Sequence, residues 1–172
     1  MKKYLFCHFG LFYIGMKNYN IPMRILIQEC LEAKVTIDNQ VVGQINKGEV
    51  IFVGFTFGDD EKTIDMMLDK LLKLRIFKDE NGKTNLNLAD HGGGILCISQ
   101  FTLYADMKKG NRPSFVNALG GSMSEPLYDS FCHKLSSRVN EVQFGVFGAD
   151  MKVSLINDGP FTILLDSKEL EK

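Results

Sequence analysis

Ile95-Leu96-Cys97-Ile98-Ser99-Gln100-Phe101-Thr102-Leu103-Tyr104-Ala105-Asp106 opens on four apolar residues and then turns polar. A short apolar run of this kind reads as a buried strand. The turn that follows can aim hydroxyl groups, a carboxamide and backbone amides at a ligand. Further along, Asn157-Asp158-Gly159-Pro160-Phe161-Thr162 places Gly-Pro at the hinge between two strand-like runs. Glycine lets another molecule approach the backbone closely, and X-Pro is the bond at which a cis peptide costs only about 0.5 to 1 kcal/mol.

Outward from these segments, the pattern is rich in strands. Arg24 to Cys30, Lys34 to Ile37 and Val41 to Ile45 read as short strands, with Asp38-Asn39-Gln40 as a turn between the last two. Glu49 to Phe55 is a mostly apolar run of buried-strand length. After Asp59 or Asp60 as a cap, Ile64, Met67, Leu68, Leu71 and Leu72 fall on one helical face. Asp79-Glu80-Asn81-Gly82 is a turn, and Asn85 to Leu88 alternates. The glycines at 92–94 lack the lysine and hydroxyl residue of a phosphate loop and precede a strand rather than a helix. A second helix starts near Ser122 or Ser124, with Pro126 in its first turn and Leu127, Phe131 and Leu135 on the buried face. Glu141 to Phe147, Lys152 to Ile156 and Phe161 to Leu165 close the chain as three strands. This mixed order predicts an α+β fold, a single domain with two main helices, rather than a doubly wound sheet.

Composition sets outer bounds. With 172 residues, 45% hydrophobic and 24% charged, the chain suits one well-packed soluble core. A net charge of −1 excludes a global field for nucleic acid, so any such contact must come from a local cluster, of which Lys108-Lys109-Gly110-Asn111-Arg112 is the best. Cys7, Cys30, Cys97 and Cys132 form no C-x-x-C pair, which suits a reduced cytoplasmic protein. Nothing in the spacing of His91 and His133 relative to Cys97 and Cys132 favours a metal site, so no metal and no cofactor are expected. Residues 1–22 imitate a signal peptide, with Lys2-Lys3 before an apolar run. His8 interrupts that run, no small-residue cleavage site follows, and its length is short of a bilayer span. They read as an extension of no function or an upstream start, with export as the alternative, and residues 23–168 as the domain.

Ser-Gln-Phe-Thr-Leu-x-Ala-Asp at Ser99 to Asp106 and Asn-Asp-Gly-Pro-Phe-Thr at Asn157 to Thr162 resemble the two signature motifs of the D-aminoacyl-tRNA deacylase family. Gly110 to Phe115, Leu127-Tyr128 with Phe131, and Phe147 to Val153 also follow that family's pattern in order and spacing. The likeness runs from Met23 to Asp166 and implies a barrel-like, mostly antiparallel sheet. It further implies hydrolysis of the ester between a D-amino acid and the terminal adenosine of tRNA, in a homodimer with active sites at the subunit interface.

An aminoacyl ester is already activated, so the protein must hold the carbonyl, stabilise an oxyanion and admit water. Backbone amides at Gln100, Phe101 and Thr102 are the expected oxyanion donors, each such fixed donor contributing about 2.7 to 4 kcal/mol. Ser99 or Gln100 would orient the ester or the water. Thr102 and Thr162 are candidate nucleophiles, but neither has a base beside it in sequence to activate its hydroxyl. Direct attack by water is the preferred reading. The resemblance implies that Gly159 and Pro160, joined by a cis bond, line carbonyl oxygens beside the substrate Cα and exclude an L side chain, a filter that glycine would escape. It also makes Phe147, Gly148, Ala149 and Met151 the pocket wall, for which core packing is the alternative. Lys108, Lys109 and Arg112 then meet tRNA phosphates, with a solvated loop as the alternative.

One departure stands out. The family pattern has arginine after Ile27-Gln28, where this chain has Glu29; that arginine fixes the Gly-Pro carbonyls, and Arg24 or Lys152 is the expected substitute. Two other functions remain open: a non-catalytic RNA-binding editing-like module, and a covalent esterase acting through threonine or Ser99.

Overall fold

The computed structural model describes residues 22–170; the reading of residues 1–22 as an extension therefore lies almost wholly outside the described residues. The chain begins with β1 (Arg24–Ile37), β2 (Gln40–Ile45) and β3 (Gly48–Gly54), then α1 (Glu61–Lys73). A small hairpin, β4 (Phe77–Lys78) and β5 (Thr84–Leu86), leads to the single-turn α2 (Leu88–His91) and to β6 (Gly94–Ser99). After a 3-10 turn at Phe101–Tyr104 come α3 (Gly121–Ser136), β7 (Val142–Phe144), β8 (Lys152–Asp166) and a final 3-10 turn at Ser167–Glu169.

One mixed sheet runs in the order β2-β1-β3-β6-β7, with β8 on the other side of β1. The β1 pairings are antiparallel, whereas β3 with β6 and β6 with β7 are parallel. The parallel β3–β6 pair is reached through the α1 crossover, as parallel neighbours require. The sheet curls until β2 meets β7. A Cβ at Gly43 would lie 3.0 Å from the Phe144 carbonyl, so glycine allows the seam to close. The result is a nearly closed barrel in an α+β fold. Cys30, Ala33, Val35, Ile45, Val50, Leu96 and Ile98 fill its interior. Ile25, Ile27, Ile51, Val53, Ile95 and Cys97 face outward, under Ile64, Met67, Leu68 and Leu71 of α1 and Phe131 and Leu135 of α3. Covered on both faces, β3 and β6 are buried almost throughout, which is why they read as continuous apolar runs.

Several expected boundaries move. Two strands were expected between Arg24 and Ile37; there is one, kept continuous by β8 alongside it and bulged where the register shifts around Cys30. The bulge breaks the period-two alternation and so hides the continuity. Likewise, Lys152 to Asp166 is one strand, not two, and Gly159-Pro160 lies within it rather than at a hinge. The alternation at Asn85 to Leu88 ends at Leu86, because the Asn87 side chain accepts from the Asp90 amide and caps α2. Helix α3 starts earlier than its serines suggest. The Gly120 carbonyl accepts from the Met123 and Ser124 amides, so Pro126 falls past the first turn. The deepest face of α3 is Ser124, Tyr128, Phe131 and Leu135, with Leu127 half-buried beside it.

Candidate active site

The polar turn after β6 is shaped by its neighbour. The Gln100 amide donates to the Val53 carbonyl at 2.7 Å, which ends the parallel ladder and turns the chain into the 3-10 helix. Gly54 is required here, since a Cβ would lie 2.8 Å from the Gln100 carbonyl and 3.0 Å from the Tyr104 ring. The Tyr104 hydroxyl, 2.9 Å from the Gly54 carbonyl and 2.9 Å from that of Pro22, ties the far end of the turn down. One of the three expected oxyanion donors is thus already committed. As opening residues of a 3-10 helix, Phe101 and Thr102 carry amides without intrahelical partners. The Gln100 side chain donates to the Thr102 hydroxyl at 2.5 Å.

A cavity of about 620 Å³ lies beside this turn. Ser99, Gln100 and Phe101 line it from one side, and Phe147, Gly148, Ala149, Asp150 and Met151 from the other. Two segments about fifty residues apart in the chain therefore line one cavity. Phe147 is half-buried against Tyr128, ring centroids 5.7 Å apart, while Phe101 is 56% exposed and meets Phe115 edge-on at 5.0 Å. Sequence reasoning missed a third wall made of Ala118, Leu119, Gly120, Gly121 and Ser124 at the start of α3. The signal was the Gly120-Gly121 pair ahead of a helix, which leaves backbone uncovered.

Other expected site residues lie apart from this cavity. Thr102 is exposed and not part of its lining. Thr162 sits on β8, where its hydroxyl oxygen accepts from Asn157 Nδ2 at 2.9 Å and Gln28 Nε2 at 3.2 Å. Gly159 and Pro160, both exposed, are joined by a cis peptide bond, and Gly159 adopts φ 114°. The Asn157 side chain accepts from the Phe161 amide at 2.8 Å and closes this segment into a loop. Lys108, Lys109 and Arg112 project from an exposed loop whose neck is the Asp106–Ser114 bridge. Lys108 also borders a second cavity of about 670 Å³, with Arg24, Asp106 and Lys168.

Neither cation expected to replace the family arginine does so. Arg24 pairs with Asp166 at 3.3 Å and donates to the Leu103 carbonyl, and Lys152 pairs with Asp150 at 2.6 Å. Glu29 is instead buried directly opposite Glu49. Burial and then the Asp158 carboxylate push its acid group up, while Lys78 pulls it down. Burial and Glu29 raise Glu49 to about 8. Among the described residues, no group of three or more His, Cys, Asp or Glu could hold a metal ion, and no helix is long and apolar enough to cross a membrane.

The family described as D-Tyr-tRNA(Tyr) deacylase matches residues 26–166. The chain belongs to this family. Curated relatives named D-aminoacyl-tRNA deacylase include one from Listeria innocua, 47% identical over 150 residues, covering 87% of this chain and 100% of the relative. Another, from Lactobacillus delbrueckii subsp. bulgaricus, is 54% identical over 144 residues, covering 84% and 99%. Of solved structures, the c-Myc DNA Unwinding Element Binding Protein is 36% identical with a TM-score of 0.79, covering 83% of this chain and 97% of that one. A probable eukaryotic D-amino acid tRNA deacylase is 20% identical with a TM-score of 0.72, covering 85% and 100%, and shares the fold. The two segments that line the cavity, and the Gly-Pro loop, all fall inside the region matched by the deacylase family.

Proposed function

We propose that the chain hydrolyses the ester of D-aminoacyl-tRNA to free D-amino acid and tRNA, a proofreading step for chirality in the cytoplasm. The observation that carries this reading is the shared cavity. The free amide of Phe101 stands at one rim, where a developing oxyanion gains most from fixed donors, and that of Thr102 follows it in the same turn, outside the lining. The apolar wall of Phe147 and Met151 accepts the adenosine and the aminoacyl group. Ser99 and the Gln100 side chain orient the ester or the attacking water.

The hydroxyl of Thr162 accepts from two carboxamides and bonds to no base among the described residues, which supports attack by water over a covalent threonine. The Gly159-Pro160 loop filters chirality from the opposite subunit of a homodimer: its carbonyls bind the substrate amino group and leave no room for an L side chain. Glycyl-tRNA, without a side chain, passes the filter and is cleaved. Along β8, the edge away from β1 has no strand partner among the described residues, and Ile156 and Leu164 are 51% and 46% exposed. A second copy seated there would bring the loop to the cavity. Lys108, Lys109 and Arg112 hold the acceptor end by its phosphates, a contact that weakens with salt. Residues 23–168 carry the whole activity.

The test is release of amino acid from matched D-Tyr-tRNA and L-Tyr-tRNA, with EDTA present to remove adventitious metal. Rapid hydrolysis of the D ester alone is expected. Cleavage of neither would sink the deacylase reading in favour of a nucleic-acid-binding module, the role for which the c-Myc DNA Unwinding Element Binding Protein is named.

A further inference from the structure

The outward, helix-covered face of the sheet is apolar along β1 and β3 until it reaches Glu29 and Glu49. These two are paired in the antiparallel register, with 8% and 2% of their surface exposed. Directly opposed antiparallel residues hold their Cβ atoms about 4.5 to 5.5 Å apart, so the two carboxyl groups share one pocket. Oε1 of Glu49 has no hydrogen-bond partner among the described residues. Two ionised carboxylates cannot be held this close and this dry, because removing each from water costs several kcal/mol and their repulsion adds to that cost. One proton resolves both problems, as a carboxyl group donates to a carboxylate.

The surroundings fix which group keeps the charge. The charges of Asp158 and Lys78 both act on Glu29, while Glu49 is enclosed and, among the described residues, is acted on only by Glu29. The Cys30 thiol, pushed up to about 12 by burial and by both glutamates, stays neutral. His91, half-buried with Lys47 near it, is held below the usual histidine range and adds no cation at neutral pH. The proton therefore rests on Glu49 and the charge on Glu29, on which the Lys78 ammonium acts favourably.

The location gives this pair its consequence. The β1–β8 register runs Gln28 to Thr162 and then Cys30 to Asn157, so residues 158–161 bulge out of the ladder opposite Glu29. We infer that Glu29 and Glu49 act as positioning residues, sharing one proton that seats the base of the 158–161 loop, and that losing this proton loosens the loop's discrimination against L esters. A second negative charge would meet those of Glu29 and Asp158 under the loop and drive Asp158 away. This inference rests on the deacylase reading and adds to it a residue pair that touches no substrate.

The experiment compares the wild type with Glu49→Gln, whose carboxamide is a permanent stand-in for the protonated acid. The readout is the ratio of kcat/KM for D-Tyr-tRNA to that for L-Tyr-tRNA, from about pH 6 to about pH 8.5, corrected for spontaneous hydrolysis. The wild-type ratio is expected to fall by about tenfold across this range as the pair loses its proton, and that of Glu49→Gln to stay level. Infrared spectra provide an independent readout: a buried protonated carboxyl band at neutral pH in the wild type, reduced in Glu49→Gln to the share that Asp59 supplies. A level wild-type ratio, a variant that tracks the wild type, or a missing band would overturn the inference and leave the deacylase reading intact. Absence of D-ester hydrolysis at every pH would overturn the deacylase reading, and the positioning role with it, while the band alone reports the proton.

Discussion

Gly159 lies in the loop and Thr162 only three residues on, where β8 rejoins β1, yet substitutions at the two should behave differently. The φ of 114° at Gly159 is a conformation that L residues resist, and an added Cβ would lie 3.1 Å from the Phe161 amide nitrogen. Left-handed backbone costs an L residue about 1 to 2 kcal/mol. Gly159→Ala is thus expected to lower kcat/KM on D-Tyr-tRNA by roughly five- to thirtyfold, taking 1.36 kcal/mol per decade. Thr162→Ala removes only a hydroxyl held by two carboxamides, and should stay within about fivefold of the wild type, the worth of one neutral hydrogen bond. A deeper loss in Thr162→Ala than in Gly159→Ala would restore the covalent threonine mechanism. Much of the lining of the candidate cavity was legible, because Ser99 to Phe101 and Phe147 to Met151 each stand in adjacent letters. The commitment of the Gln100 amide to Val53 was not, and neither was the opposition of Glu29 to Glu49. Both depend on which strands pair, which no local pattern records.

Among the elements, α1 was legible at its start and along its face. Its cap is Asp60, whose side chain accepts from the Thr63 amide at 2.9 Å, and Ile64, Met67, Leu68 and Leu71 face the core as their spacing required. Strands were legible where both faces are buried and illegible where a bulge resets the alternation, as in β1. The joint between β3 and β6 was hidden for another reason. Gly48 packs against the Gly94 backbone so closely that a Cβ there would overlap it, and Gly48 itself has φ 151°. Two substitutions separate local from tertiary effects. Asp60→Ala should cost about 1 kcal/mol, the usual worth of a cap. Gly48→Ala should cost more than about 3 kcal/mol, since backbone rather than a flexible side chain would have to move. Chemical denaturation of the two variants checks the order, and a milder Gly48→Ala would mean that the parallel ladder can shift to make room.

At the scale of the whole molecule, buried acids give stability a particular pH dependence. Glu49 is raised to about 8 by burial and Glu29, and Asp59 to about 7 mainly by burial. Between their ordinary values near 4 and these raised ones, the folded chain holds protons that the unfolded chain has released. Stability therefore falls as pH rises through that window, by at most about 1.4 kcal/mol per pH unit for each group. On the acid side, Asp60 and Glu61 are held below their ordinary values by hydrogen bonds to Thr63 and to Lys134, so the stability they give is lost as pH drops. Thermal midpoints should peak near pH 5 and decline towards pH 8, and Glu49→Gln should end the decline near pH 7, leaving the Asp59 share. A midpoint still rising at pH 7 would contradict this balance. The two ends of the domain carry a last consequence. The Met23 amide donates to the Ser167 hydroxyl and the Ser167 amide to the Met23 carbonyl, each at 2.9 Å, while Arg24 pairs with Asp166. With the ends stapled side by side, joining them needs only a short linker, whose closure entropy is small. New ends cut at Asn81-Gly82, in the exposed β4–β5 turn, would leave the barrel untouched. A circular permutant so built should melt cooperatively like its parent, with the order of its strands along the chain changed and their order in space preserved.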